Sequence, residues 1–260
     1  MDFLTYIATG AGVGFAVGLT GIGGGSLMTP LLLMFGFPTH IAIGTDLMYA
    51  AITKSTGVII HHRQRSIDWR LVKTLCAGSL PATALTIVLL KVFFDRSADY
   101  SPILTLCLGI MLTLTALSLF MSSFMSSWVK KRQATGVSII PDRFQTILTF
   151  IAGIFLGILV TLSSVGAGAL GTAAIVLLYP FLKPINVVGS DLTHAVPLTL
   201  LAGLGHVWLG NVDFSLLGSL LIGSIPAIYV GTRVGMKLPD TFMRIILAMI
   251  LLGLGLKYLF

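Results

Sequence analysis

Charged residues are scarce in this sequence of 260 residues: Asp, Glu, Lys and Arg make up 10% of it, whereas a soluble domain typically carries about a quarter. Hydrophobic residues make up 56%, and the mean hydropathy is +1.01. Water is therefore not the main solvent of the folded chain. Because one membrane crossing needs roughly 20 apolar residues, the sequence is long enough for many crossings. We expect an all-α polytopic membrane protein surrounded by a lipid bilayer.

Cysteine is also scarce, and nothing in the sequence is typical of catalysis. Cys76 and Cys107 lie in apolar runs without metal-ligand spacing, so we expect neither a disulfide nor a metal site. His61, His194 and His206 lack a ligand pattern such as HxxxH, and the sequence contains no nucleophile motif and no nucleotide-binding P-loop. The sequence thus predicts no catalytic residue, no metal and no cofactor. An integral membrane enzyme is the least favoured alternative.

The N-terminus lacks a basic region before its first apolar run. The chain begins Met1-Asp2-Phe3, so a cleaved signal peptide is not expected. The net charge of +7 comes from 16 Lys and Arg residues against 9 Asp and Glu residues, and most of the excess lies in short loops. This distribution is typical of loops at the cytoplasmic face of a membrane and argues against a nucleic-acid partner.

The sequence matches itself at one offset, 145 residues, which is the separation of Asp46 from Asp191. The matches in this register are Gly21 and Gly23 with Gly166 and Gly168, Gly44-Thr45-Asp46 with Gly189-Ser190-Asp191, His61 with His206, Asp68-Trp69 with Asp213-Phe214, and Gly78 to Ala82 with Gly223 to Ala227. The chain is therefore predicted to contain a first transmembrane repeat (1–125), a polar cytoplasmic linker (126–142) and a second transmembrane repeat (143–260).

The loop charges predict that the two repeats are inverted relative to each other. The loop from His61 to Arg65 is basic and is expected in the cytoplasm, whereas its copy, Leu209 to Asp213, contains no Lys or Arg. Matching loops on opposite sides require an odd number of crossings in each repeat, and both termini then lie outside. Inverted repeats are a transporter architecture in which the substrate site lies near the midplane, at the interface between the repeats.

Each repeat contains about five apolar segments, and the first two of each are short. The predicted segments are 3–20, 22–36, 41–60, 71–92 and 102–121, then 143–162, 166–182, 187–208, 214–233 and 241–260. Two full crossings and a turn need more residues than the first 36 provide. Short helices in a thinned bilayer and a re-entrant hairpin both remain open, and both return the chain to its starting side.

A glycine-rich turn separates the first two segments of each repeat. Free N–H groups at the start of the helix that follows, together with the positive end of its dipole, suit an anion. Close helix packing is the alternative, and it is favoured for Gly10, Gly14 and Gly18. The substrate-binding residues predicted from the two turns are Thr20, Gly21, Gly23, Gly24, Gly25, Ser26, Ser163, Ser164, Gly166 and Gly168.

The turn from Gly21 to Gly25, the Pro30-Leu31 pair and the Gly44-Thr45-Asp46 entry of the next segment resemble the TauE/SafE family, also described as toluene-sulfonate uptake permeases. The resemblance covers essentially the whole chain. It implies a multi-pass transporter in the cytoplasmic membrane that moves a sulfur-containing anion, such as sulfite, sulfoacetate or another organosulfonate. The second repeat departs from the motif, since Ala167, Ala169 and Leu170 replace Ile22, Gly24 and Gly25.

Two polar stripes occupy matching positions in the third segment of each repeat. One arc of about 100° holds Thr45, Asp46, Tyr49, Thr53 and Thr56, and its counterpart holds Ser190, Asp191 and His194. The stripes are interpreted either as walls of a shared cavity or as helix caps near the surface. An Asp repels an anion, so Asp46, Tyr49, Asp191 and His194 are assigned to structure or to coupling, whereas Thr45 and Ser190 are assigned to substrate.

Lys54 lies deeper than the other cations and is predicted either to neutralise the anion or to extend toward the cytoplasmic interface. His61 and His206 are predicted to be interfacial. The favoured function is a secondary transporter that works by alternating access, and an anion channel is the nearest alternative. The expected partners are the small anion and lipid. A proton or sodium ion as coupling ion, and assembly as a homo-oligomer, are left open.

Overall fold

The computed structural model describes residues 3–20, 28–93, 100–135, 141–235 and 240–260. These ranges contain ten α-helices and no strand, so the all-α prediction is confirmed. The helices are α1 (Phe3–Thr20), α2 (Met28–Met34), α3 (Thr39–Arg63), α4 (Trp69–Phe93), α5 (Ser101–Thr135), α6 (Asp142–Ser163), α7 (Ala169–Leu178), α8 (Pro184–Trp208), α9 (Phe214–Gly235) and α10 (Asp240–Leu259). Each of them overlaps one predicted apolar segment.

Helix α5 is longer than its apolar segment. It continues to Thr135, well inside the 126–142 segment that was assigned to a polar linker. The added residues include Lys130, Lys131, Arg132, Gln133 and Ala134, which are all favourable in a helix, and the next residue after Thr135 is a glycine. The division of the chain into two repeats and a linker stays a prediction.

Five of the described helices are long and apolar enough to cross a membrane: α4, α8, and the parts Ser101–Ser122, Phe144–Ser163 and Phe214–Val234 of α5, α6 and α9. The multi-pass character of the chain is thereby supported. Helices α2 and α7 have 7 and 10 residues, or about 10 and 15 Å at 1.5 Å per residue. Neither crosses a hydrocarbon core about 30 Å thick, so these helices fit broken or re-entrant segments.

Helix α1 packs closely and in parallel against α9, and α6 packs in the same way against α4. A Cβ on Gly10 of α1 would lie 2.5 Å from the backbone oxygen of Leu220 in α9, and a Cβ on Gly153 of α6 would lie 2.4 Å from that of Leu75 in α4. Only glycine permits such an approach between backbones. The close-packing interpretation of the first glycine series is therefore confirmed. The two contacts are equivalent, because α1 corresponds to α6 and α9 corresponds to α4.

At the centre of the molecule α3 crosses α8 in the antiparallel sense. Gly44, near the start of α3, packs against the backbone oxygen of Asn211, just beyond the end of α8. Gly189, near the start of α8, packs against the backbone oxygen of Ser66, just beyond the end of α3. These contacts are those expected of two inverted repeats. The inversion itself stays a prediction.

Candidate functional site

The crossing of α3 and α8 brings the two predicted polar stripes into the protein interior. On α3, Thr45 and Asp46 are 0% exposed and Tyr49 is 2% exposed. Thr56 is exposed and its hydroxyl bonds to the Thr53 backbone oxygen of its own helix. The stripe on α3 is thus shorter than its sequence pattern predicted, because only its first part faces the crossing.

The matching stripe on α8 is buried along its whole length. Ser190, Asp191 and His194 are 0%, 4% and 1% exposed. The Nε2 atom of His194 lies 2.9 Å from the Ser79 hydroxyl of α4. This contact joins α8 to α4 and could not be anticipated from the residue pattern.

Each buried aspartate holds the start of the short helix in its own repeat. The Oδ2 atom of Asp46 accepts hydrogen bonds from the hydroxyl and the backbone N–H of Thr29, at 2.6 and 3.2 Å. The Oδ2 atom of Asp191 accepts one from the Thr172 hydroxyl, at 2.8 Å. The Asp46 carboxylate therefore caps the start of α2, where its negative charge is stabilised by the helix dipole, whereas Asp191 bonds to a side chain near the start of α7. Capping of α3 and α8 themselves, the predicted alternative, is wrong, since these helices begin earlier, at Thr39 and Pro184.

Lys54 points into the interior and does not extend to the membrane interface. It is 6% exposed, and among the described side chains it is the one buried Lys or Arg. Its ammonium group donates to the backbone oxygen of Ala167, in the turn before α7, and it lies within electrostatic range of Asp191 and Asp46. The interfacial alternative for Lys54 is therefore wrong. The side chain joins the crossing to the second glycine-rich turn.

The turn from Ser163 to Gly168 carries two serines with different roles. The Ser163 hydroxyl donates to the Leu159 backbone oxygen at 2.7 Å and accepts from the Val165 N–H at 3.2 Å. Ser164 adopts a left-handed conformation with φ of 58°, which is uncommon for a residue with a Cβ. Its hydroxyl is buried and has no hydrogen-bond partner among the described residues, although it lies near the Asp46 carboxylate. A strained residue with an unused buried hydroxyl is a candidate for ligand contact.

Most N–H groups at the start of α7 are already bonded. The N–H groups of Leu170 and Gly171 donate to the Gly166 oxygen, at 3.2 and 3.3 Å, and that of Thr172 donates to the Gly168 oxygen, at 2.9 Å. The prediction of free N–H groups in the first turn of this helix is therefore wrong for these three residues. The left-handed φ of Gly166, +103°, turns its carbonyl toward the helix start and makes this bonding possible.

The equivalent turn of the first repeat lies outside the described residues. Gly21, Gly23, Gly24, Gly25 and Ser26 all fall in the range 21–27, and Thr20 is described only as the last residue of α1. Their assignment to the substrate site stays a prediction.

The hydroxyls of Thr45 and Ser190 each bond to the other repeat. Thr45 accepts a hydrogen bond from the N–H of Asp213 at 3.2 Å, and Ser190 accepts one from the N–H of Asp68 at 2.9 Å. The four residues match in the 145-residue register, so the two bonds are equivalent. Both hydroxyls therefore fix the ends of the crossing, which is a role that their assignment to substrate did not anticipate.

One of the two histidines that were predicted to be interfacial is buried. His206 is 0% exposed; its Nε2 atom lies 3.0 Å from the Thr161 backbone oxygen, and its Nδ1 atom lies 3.1 Å from the Asn211 amide nitrogen. Asn211 also exchanges hydrogen bonds with the Tyr100 hydroxyl, at 2.7 and 2.9 Å. His61 is half-buried and bonds to Ser66 at 2.7 Å. The interfacial prediction is thus wrong for His206.

Sequence reasoning missed Thr29, Thr172 and Ser79. A signal for the two threonines exists, since Thr29 and Thr172 are separated by 143 residues, and so are Gly10 and Gly153. Matching residues are therefore 143 apart in α1 and α2 and 145 apart from α3 onward. The ungapped comparison at 145 residues hides the threonine match, and its pairing of Gly21 and Gly23 with Gly166 and Gly168 is wrong by two residues. Nothing in the sequence singles out Ser79 before its partner His194 is known.

Comparison with known proteins shows the family. The model of the family described as sulfite exporter TauE/SafE matches residues 6–258. The probable membrane transporter protein YjnA of Bacillus subtilis is 37% identical over 254 residues, which cover 98% of each chain. A probable membrane transporter protein of Methanocaldococcus jannaschii is 28% identical over 271 residues, which cover 94% of this chain and 92% of that one. The search of solved structures gave no match.

The family match extends over both glycine-rich turns, the α3–α8 crossing and nearly all of the helices around it. The relatives are matched along almost their full length and are named as membrane transporters. The chain therefore belongs to the TauE/SafE family, and it is a membrane transporter.

Proposed function

We propose that the chain is a secondary transporter that moves a small sulfur-containing anion, such as sulfite, sulfoacetate or another organosulfonate, across the cytoplasmic membrane. The sulfur anion is suggested by the family description, sulfite exporter. The cytoplasmic membrane is suggested by the basic loop at His61 to Arg65, which is typical of a cytoplasmic face. Alternating access would take place at the interface between the two repeats.

The observation that carries this proposal is the position of Lys54 beside the turn that contains Ser164. A buried cation in a membrane segment costs roughly 2.5–3.5 kcal/mol on insertion scales, so its retention calls for a role. The Lys54 ammonium group bonds to the Ala167 oxygen, which lies three residues after Ser164 in the same turn. Together with the unpartnered Ser164 hydroxyl, the ammonium group supplies the positive charge and the donors that an oxyanion needs.

A site at this place fits an inverted-repeat transporter. Lys54 lies on α3 of the first repeat, and Ser164 lies between α6 and α7 of the second. An anion held between them would contact both repeats at once. Rocking of one repeat against the other would then expose the anion to each side of the membrane in turn.

A thermal-shift screen of the purified protein tests the proposed substrate class. Sulfite, sulfate, thiosulfate, sulfoacetate and taurine are compared with chloride at matched ionic strength. A ligand present at 100 times its Kd stabilises the folded state by about 2.7 kcal/mol, so a true substrate raises the Tm in a concentration-dependent manner. A panel in which no sulfur anion raises the Tm more than chloride contradicts the proposal.

Exchange measurements separate a transporter from an anion channel. In proteoliposomes, unlabelled substrate inside accelerates the uptake of labelled substrate through a transporter, because the loaded site returns faster than the empty one. A channel shows no such acceleration. Uptake that does not respond to internal substrate would therefore replace the transporter proposal with a channel.

A further inference from the structure

We propose that Asp46, Lys54 and Asp191 form a proton-binding site, and that the proton bound there moves together with the anion. This inference rests on the proposed transport function and deepens it. The three side chains are 0%, 6% and 4% exposed, and Lys54 interacts electrostatically with both carboxylates. The cluster lies at the α3–α8 crossing, next to the turn that contains Ser164.

The first argument is the formal charge of the cluster. Two carboxylates and one ammonium group leave one uncompensated negative charge in the protein interior, and a buried unpaired charge is strongly unfavourable. No other Lys or Arg among the described side chains is buried. One proton on either carboxyl group makes the cluster neutral, so the structure favours a singly protonated cluster.

The second argument is that each carboxylate has one oxygen that the fold does not use. The Oδ2 atoms bond to Thr29 and Thr172, whereas the Oδ1 atoms of Asp46 and Asp191 are buried and have no hydrogen-bond partner among the described residues. An unpartnered buried carboxylate oxygen is costly when charged and can carry a proton without breaking the bonds to Thr29 and Thr172. Near Asp46 the unpartnered Ser164 hydroxyl is available as an acceptor for that proton.

The third argument is that few other titratable groups among the described residues lie close enough to the two carboxylates to bind the proton in their place. Helices α2 and α7 contain no ionisable residue, and neither does the range 21–27. The neighbours that titrate are Tyr49 on α3, which is close to Asp46, and His194 on α8, which bonds to Ser79. The Lys and Arg residues of α4 are exposed near its ends, and Asp213 caps its own helix, α9. Among the described residues, His194 is therefore the alternative candidate for the proton and serves as a comparison.

Coupling follows from electrostatics. With both carboxylates ionised the cluster is negative and repels an anion, whereas each added proton makes Lys54 more available to the anion. Proton binding and anion binding therefore strengthen each other by the same factor. The anion and the proton are expected to cross in the same direction, and the affinity for the anion is expected to rise as the pH falls.

The experiment measures the uptake of labelled sulfoacetate into proteoliposomes with the membrane potential clamped by valinomycin and potassium. Sulfoacetate is the probe because its charge does not change over the neutral range, whereas that of sulfite does. An acidic exterior should drive accumulation above equilibrium in the wild-type protein, and nigericin should abolish it. Asp46→Asn and Asp191→Asn should each reduce the proton-driven accumulation at least tenfold. Exchange of internal for external sulfoacetate at equal pH should persist in both variants.

The matched controls are Asp213→Asn, which alters a capping carboxylate outside the cluster, and His194→Gln, which removes the alternative proton carrier. Both should retain proton-driven accumulation. Wild-type accumulation that does not respond to the pH gradient, or that follows a sodium gradient instead, overturns the proton site, while the transport proposal stands as long as exchange at equal pH is observed. If His194→Gln loses the proton-driven accumulation while Asp46→Asn and Asp191→Asn retain it, the proton is carried by His194. That result also overturns the proposal that the Asp46, Lys54 and Asp191 cluster binds the proton. Absence of any sulfoacetate exchange by the wild-type protein, at equal pH, would instead count against the proposed substrate.

Discussion

The two ends of the α3–α8 crossing are built from equivalent residues but are closed to different degrees. We call the end at residues 61–68 the basic end and the end at residues 206–213 the asparagine end. Both have a glycine against a backbone oxygen, and both have a hydroxyl that accepts from an aspartate N–H. At the basic end the network stops at the half-buried His61–Ser66 pair. At the asparagine end it continues through buried His206 to α6 and through Asn211 to Tyr100.

The difference between the two ends separates the contacts that both repeats make from the hydrogen bonds that only one end makes. The shared contacts hold the two helices together in either orientation of the crossing. The added bonds exist at the asparagine end alone among the described residues, because an asparagine and a tyrosine stand there and a serine stands at the corresponding place in the first repeat. The structure therefore represents a state in which the asparagine end is the more tightly closed.

The largest expected effect concerns the inversion on which this comparison depends. Trp69 and Phe214 match in the repeat and are 48% and 61% exposed. In a background without Cys76 and Cys107, Trp69→Cys should react with an impermeant maleimide only from the cytoplasmic side, and Phe214→Cys only from the outside. Labelling of both cysteines from one side would mean that the repeats are arranged in tandem, and the comparison would fail.

The next prediction concerns Lys54, whose counterpart in the second repeat is Thr199. A hydrogen bond to a charged group contributes about 1.5–3 kcal/mol, so Lys54→Met should weaken anion binding roughly 10- to 100-fold. Lys54→Arg keeps the charge and should retain part of the affinity. Titration calorimetry with the anion that gives the largest thermal shift measures both variants. Thr199→Val is the control, and nearly unchanged affinity in Lys54→Met would exclude a substrate role.

A smaller effect is expected from making the two ends alike. Asn211→Ser introduces the residue of the basic end and leaves half-buried Tyr100 and buried His206 with fewer partners, at a cost of about 1–3 kcal/mol. Ser66→Ala removes two hydrogen bonds at the basic end, both to His61, and should cost about 0.6 kcal/mol for each, the average for such bonds in a membrane protein. Thermal unfolding in detergent measures the loss of stability in each variant. Equal losses in the two variants would contradict the conclusion that the asparagine end is the more tightly closed.

The smallest effect distinguishes the two serines of the second turn. Ser164→Ala removes a hydroxyl that no described residue uses, so the Tm should hardly change, while anion affinity should fall by about 0.5–1.5 kcal/mol, or roughly 2- to 12-fold. Ser163→Ala removes a hydroxyl that bonds within the turn and should lower the Tm more than the affinity. The opposite pattern would place Ser163, not Ser164, at the substrate.

Periodicity and composition predicted the ten helices well, because membrane helices need long apolar runs and loops interrupt them. They failed at α5, where the polar residues that ended the apolar run are good helix formers. The polar stripes on α3 and α8 were also predicted, since Asp46 and Asp191 stand out in an apolar background. What each side chain contacts was not predictable. Lys54 and Ala167, for example, come together only because α3 and the turn before α7 meet in three dimensions.

The parallel pairing of α1 with α9 also affects the order in which the protein can assemble. Helix α1 ends at Thr20 and α9 begins at Phe214, so the ribosome completes one long before the other. At about 5–20 residues per second, the interval is of the order of 10–40 s. During that time the glycines of α1 have no partner backbone and face lipid or an insertion factor. A variant that slows the synthesis of the second repeat would lengthen this exposure without altering any contact of the finished transporter.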